Sequence, residues 1–255
     1  AAFNNLTAAE ILPSVRINGG APQPLMTETP CFTQLANTSN NITITTITTI
    51  DLAAPGFSQT SRCFLGGTQA VYVAPNNVYL STLRYPQSKC DQQQARWIYP
   101  DVSELRTDIH KFAIDGSTVS YRASGDVAGH FGWTPERNSY QLKKNKNDLR
   151  VVTFTGTTGW GSLDDANNPK APPASPATLS ILREADGKLS AVATLPNAQH
   201  PTPIGLPNEQ IYAVRFMGDR GYVVTFRRTD PLYILDLSNP TDPLQAGEIK
   251  ASGYS

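Results

Sequence analysis

Short runs of alternating or wholly apolar residues, each bounded by Gly, Asp, Asn or Pro, recur along the whole chain. Almost nowhere does a 3.6-residue apolar period last three turns. The pattern predicts an all-β chain. It is clearest towards the C-terminal end, where IYAVRFM (211–217), GYVVTFR (221–227), LYILDL (232–237) and LQAGEIK (244–250) are separated by short turn segments. Four strands in meander order make one twisted antiparallel unit.

The same order returns upstream, and an internal repeat decides an architecture before any single motif does. One copy runs through 68–73, 77–83, 107–115 and 117–123, and the next through 139–142, 149–154, 177–182 and 188–195. Before them, 42–52 and 61–65 have the look of third and fourth strands of an earlier copy. Third strands end in acidic turns at Asp51, Asp115, Asp186 and Asp236. Where Gly follows (Asp115-Gly116, Asp186-Gly187), it supplies the positive φ of a tight hairpin while Asp bonds back to the backbone. Four-stranded units repeated in this way are the blades of a β-propeller. The expected fold is therefore a β-propeller fragment of four-stranded antiparallel blades: an N-terminal extension and partial blade over 1–66, then blades over 67–130, 131–197 and 198–255. Closed propellers use roughly four to eight blades, so the remaining blades are expected outside this chain or from another copy that closes the ring.

The segment EQIYAVRFMGDRGYVVTFRRTDPLYILDLSNP (209–240) resembles the most characteristic stretch of a family of secreted bacterial and archaeal proteins. These carry a C-terminal β-propeller distantly related to WD40 repeats, and NDLRVVTF (147–154) is similar to another of their segments. The resemblance implies the propeller fold and export. The family is largely uncharacterised, so no catalytic residues carry over.

Three connections exceed what a compact turn needs: 31–41, 86–106 and 155–176. Each joins second to third strands, and in a meander all such connections emerge on one side. That side is the expected binding surface. Its candidate residues are Arg96, Trp97 and Tyr99 in the second insertion, with Trp160, Asp164 and Asp165 in the third. Exposed aromatics beside Arg anchor protein interfaces and sugar contacts. The alternative is that Trp97 and Tyr99 fold back over a blade edge. Asp164 and Asp165, beside Asn167 and Asn168, lack the glycine and distal glutamate of a calcium loop.

Composition then narrows the function. The 255 residues carry 21 basic and 21 acidic side chains, with no Lys/Arg block to neutralise a row of phosphates, so nucleic acid is not an expected partner. No stretch approaches the length of a transmembrane helix. A Thr-rich, Lys-poor chain with three cysteines suggests a secreted or cell-envelope protein. Cys31 and Cys90 sit near equivalent loops of adjacent blades and form the preferred disulfide pair, with Cys63 buried on a strand; three unpaired thiols is the alternative. His110, His130 and His200 fall on different blades or loops. No GxSxG, HExxH or phosphate-binding glycine loop occurs, and neither a catalytic centre, a metal site nor a cofactor is expected. The reading is a non-catalytic scaffold binding protein or glycan. One alternative is a hydrolase-type enzyme using Tyr72, Arg150, Tyr212 or Arg215 in a central channel; another is a structural subunit that assembles edge to edge.

Overall fold

The structure is a computed structural model, and it describes residues 13–26, 31–33, 43–54, 58–85, 89–91, 96–98, 105–132, 134–156, 175–226 and 230–251. In chain order, β1 (Ser14–Val15) pairs with β2 (Gln23–Pro24). A small sheet follows in which β5 (Ser58–Leu65) lies between β4 (Ile44–Asp51), antiparallel, and β3 (Phe32–Thr33), parallel. The first four-stranded meander is β6 (Thr68–Ala74), β7 (Asn77–Arg84), β10 (Arg106–Asp115) and β11 (Thr118–Ala128). A short hairpin of β8 (Lys89–Asp91) and β9 (Arg96–Ile98) occupies part of its long connection, which the sequence reading had as loop. The second meander is β12 (Leu142–Asn145), β13 (Asp148–Phe154), β14 (Ala177–Ala185) and β15 (Lys188–Leu195). The third is β16 (Gln210–Met217), β17 (Arg220–Phe226), β18 (Asp230–Asp236) and β19 (Leu244–Ala251). The chain is an all-β propeller-type stack of blades.

The repeat extends to backbone irregularities that the alternation of side chains does not reveal. In each meander the fourth strand carries one extra residue against the third: Arg122, Val192 and Ala246 each stand unpaired at a register shift. Bulges at equivalent places increase the right-handed twist in the same way in each unit. First strands of the first and third blades are bulged as well, at Gln69 and Tyr212. The turn at Asp186-Gly187 has φ of 50° and 75°, the two positive values that a type I′ hairpin demands. The second blade departs from expectation at its start. Residues 139–141 form a 3-10 turn behind helix α1 (Pro135–Asn138), so the strand begins at Leu142. Pro135 fixes the φ suited to a first helical turn, which alternation alone does not register.

Blades are held face to face by apolar layers. Phe64, Leu80, Phe112 and Val119 fill the layer between the small N-terminal sheet and the first blade. Tyr79, Ile109 and Val127 of the first blade meet Leu149, Val151 and Leu182 of the second. Val152, Leu179 and Ile181 on the second blade's other face meet Phe216, Val223 and Leu235 of the third. The first two blades come so close at their outer strands that β11 and β15 share a parallel bridge, Ser124 opposite Lys188. Gly125 makes this possible, because a Cβ there would stand 2.0 Å from the Leu189 carbonyl oxygen.

The disulfide links Cys31 to Cys63, which corrects the expected Cys31–Cys90 pair. Parallel pairing of Phe32 with Phe64 brings the preceding residues of β3 and β5 side by side, with Cα atoms 4.6 Å apart. That separation lies within the range a disulfide spans. The sequence reading placed Cys63 on its buried strand correctly, but had no means of knowing that residues 32–33 return beside it.

Candidate functional site

A cleft forms where the segment joining the first two blades meets the first strand of the third. Gly129, at φ 80°, ends β11 against β13; a Cβ on it would lie 2.0 Å from the Phe154 carbonyl oxygen. His130 then exchanges both backbone hydrogen bonds with Phe154, its N–H donating at 3.0 Å and its carbonyl accepting at 2.7 Å. Its Nδ1 accepts the Gly132 N–H at 2.9 Å. Burial pushes the His130 pKa below its ordinary value, so the imidazole is neutral at neutral pH. The Gln141 side-chain amide donates to the Phe131 carbonyl at 2.7 Å, and that of Asn138 to the Gln69 carbonyl at 3.1 Å. The Asn138 bond fixes α1 against β6, the first strand of the first blade.

From this fixed helix Arg137 reaches β16. Its Nη1 donates to the Tyr212 carbonyl at 2.9 Å, while the guanidinium carbon lies 4.3 Å from the Tyr212 ring centroid. The Tyr212 ring is 6.1 Å from that of Phe226, and 48% of its surface stays exposed. Tyr212 is the bulged residue of its strand, and a bulge re-aims its side chain. Beneath lies a cavity of about 110 Å³ bounded by His130, Phe131, Gln141, Phe154 and Val214. It continues into an open depression of about 520 Å³ beside Thr134, Asn208, Gln210 and Phe226. The cleft offers an aromatic face under a guanidinium, flanked by hydroxyl and amide groups. Such a surface suits a sugar ring or a planar side chain. Among the described residues no three His, Cys, Asp or Glu side chains gather in a metal-holding group.

Gln210 opens β16 opposite Phe226, the last residue of β17, and Phe154 is the last residue of β13. The cleft therefore lies at the blade ends from which second-to-third-strand connections emerge. Of the sequence candidates on those connections, Arg96 and Trp97 lie on β9, with side chains outside the described residues. Tyr99, Trp160, Asp164 and Asp165 all lie outside the described residues. Arg137 and the Tyr212–Phe226 pair were not recognised as one site. The signal was Thr134-Pro135, a helix start that would have put Arg137 on a rigid support.

Two residues considered for a channel enzyme have other work. The Tyr72 hydroxyl accepts the Lys144 N–H at 3.0 Å, and the Arg150 guanidinium, with 4% of its side chain exposed, donates to Gly218 and Leu237 carbonyls. Both tie one blade to the next. Tyr212 lines the cleft, and Arg215 is exposed. The His200 imidazole pairs with Asp242 at 2.9 Å on the surface, away from His130.

Comparison with known proteins agrees with this architecture. An uncharacterized protein of Methanocaldococcus jannaschii is 36% identical over 149 residues, covering 58% of this chain and 19% of its own length. An uncharacterized protein of Archaeoglobus fulgidus is 60% identical over 118 residues, covering 46% of this chain and 15% of its own. The chain thus spans less than a fifth of either relative. The sequence model described as a beta propeller domain matches residues 1–255, and the chain belongs to that family.

Proposed function

We propose that this propeller is a non-catalytic binding scaffold, exported to the cell envelope or medium. Its protein or glycan partner docks on the side where the second-to-third-strand connections emerge. The observation that carries the reading is Arg137 clamped over Tyr212 at the mouth of a cleft on that side. Rigidly held aromatic and guanidinium groups concentrate binding energy in few residues. The Arg96–Tyr99 and Trp160–Asp165 segments extend the same surface in this proposal. A disulfide supports an oxidising compartment. Among the described residues, no helix is long and apolar enough to cross a membrane.

The test exposes the immobilised chain to a glycan array and to solubilised envelope proteins, with Arg137→Ala, Tyr212→Ala and Arg215→Ala, an exposed residue that does not line the cleft, in parallel. Retention lost in the first two and kept in the third supports the cleft. Equal retention by all four removes it.

A second reading rests on the outer face of the last blade. Val224, Leu232 and Ile249 occupy the ladder positions that Val152, Leu179 and Leu195 hold in the second blade. There they are buried under the third blade; in the third, Ile249 is 53% exposed. The face fits a further blade, either from a longer chain or from another copy. A sizing run at rising concentration tests the second source, and a monomer throughout contradicts it.

A further inference from the structure

Opposite the cleft, at the blade ends with tight turns, the first two blades enclose an open groove of about 610 Å³. The chain as a whole is neutral, yet this groove is lined by five cations, Lys111, Arg122, Lys144, Lys146 and Arg183, against two carboxylates, Glu184 and Asp186. Three of the cations are held in place by carboxylates. Glu184 accepts Lys111 Nζ at 2.6 Å and Arg122 Nη2 at 2.9 Å, across the blade boundary. Asp148 takes Nε and Nη2 of Arg183 at 2.7 and 2.9 Å. In both arginines Nη1 is the nitrogen not engaged by the carboxylate. Arg122 is the bulged residue of β11, so its direction is set by the repeat geometry. Lys144 lies on β12 and Lys146 in the β12–β13 turn, at φ 51°, and neither ammonium has an ion-pair partner among the described residues.

Two free ammonium groups and two guanidinium edges on braced side chains make a preorganised anion site, which loses little side-chain freedom on binding. Among the described residues no aromatic lines the groove, and Ala185 is the one apolar side chain there. Stacked bases need aromatic platforms, and a protein partner needs apolar anchors. A hydrated polymer bearing repeated anionic groups needs neither. We propose that this groove binds an acidic polysaccharide, whose sulfate or uronate groups are held by Lys144, Lys146 and the Nη1 atoms of Arg122 and Arg183. The site is separate from the cleft and does not depend on it.

The test measures binding of the full chain to heparin, as a sulfated probe, and to polygalacturonate, as a carboxylate probe. Neutral dextran, duplex DNA and polyglutamate serve as competitors. The expected result is binding of at least one acidic polysaccharide, at least tenfold weaker in Lys144→Ala/Lys146→Ala and in the single turn variant Lys146→Glu. The salt dependence should be shallower in both. Lys250→Ala, at a remote exposed position, should bind as the unmodified chain does. Unchanged binding in both groove variants overturns the proposal. So does DNA or polyglutamate bound as tightly as the polysaccharide, or dextran retained equally well.

Discussion

Arg150 of β13 crosses the boundary between the second and third blades, its Nη1 donating to the Gly218 carbonyl at 2.6 Å. Its Nη2 reaches the Leu237 carbonyl at 3.1 Å, and Asp219 at 3.4 Å is its carboxylate neighbour. Burial lowers the guanidinium pKa, while Asp219 and Asp148 act against that shift. The arginine thus supplies polar closure at the rim of an apolar layer. Replacement by Met keeps the bulk and leaves two carbonyls without this donor. The expected loss is about 2–4 kcal/mol, read from urea-unfolding midpoints. A shift of only a few tenths would show that the clasp does not hold the blades.

Close approach of blades sets a second expectation. Gly125→Ala and Gly129→Ala each put a Cβ about 2.0 Å from a backbone oxygen, and Gly129 adds a positive φ. Backbone atoms cannot yield as a flexible side chain does, so both variants should unfold at markedly lower denaturant or fail to accumulate as soluble protein. Gly67→Ala meets nothing within 4 Å and should behave like the parent. Comparing the three in one unfolding series separates blade contact from a general effect of replacing glycine.

The Cys31–Cys63 bridge closes a loop with a sequence separation of 32. Loop-closure arguments put its contribution at roughly 4 kcal/mol. Peptide mapping without reductant should recover these two cysteines joined, and Cys63→Ser should unfold earlier than the oxidised parent. Recovery of Cys31 joined to Cys90 would contradict the pairing of β3 with β5.

His110 gives a pH signature. Its ring lies 4.4 Å from that of Phe64, 1% exposed, and burial pushes its pKa down to about 4. In the unfolded chain the value is about 6.5. Between these values the unfolded state binds a proton that the folded state refuses. Stability is therefore full above about pH 6.5, falls as pH drops towards 4, and levels off below. The whole loss is roughly 3 kcal/mol. His130 shifts in the same direction, so the contribution of His110 is the difference between the parent and His110→Gln across pH 7.5 to 4.5. The variant should show the shallower decline.

Strand positions were legible because apolar alternation and turn residues agree along the blades. Thr82, Thr153 and Thr225, each the sixth residue of its blade's second strand, are all fully buried, as a repeat requires. Other features were not legible because they depend on long-range pairing. The disulfide turns on the parallel return of residues 32–33 beside β5. The groove cations are scattered over residues 111–183, so a neutral, well-mixed sequence concealed a local excess of charge. The cleft also escaped notice, since Tyr212 and Arg137 are 75 residues apart and meet only because α1 is fixed against β6.

The most direct measurement of the proposed role is the dissociation constant, by calorimetry, of the glycan or envelope protein retained by the immobilised chain. It would be determined for the parent, Tyr212→Ala and Arg215→Ala under one salt condition. The account predicts at least a tenfold weakening for Tyr212→Ala and a change within twofold for Arg215→Ala. The same constant for all three would contradict binding at the Arg137–Tyr212 cleft.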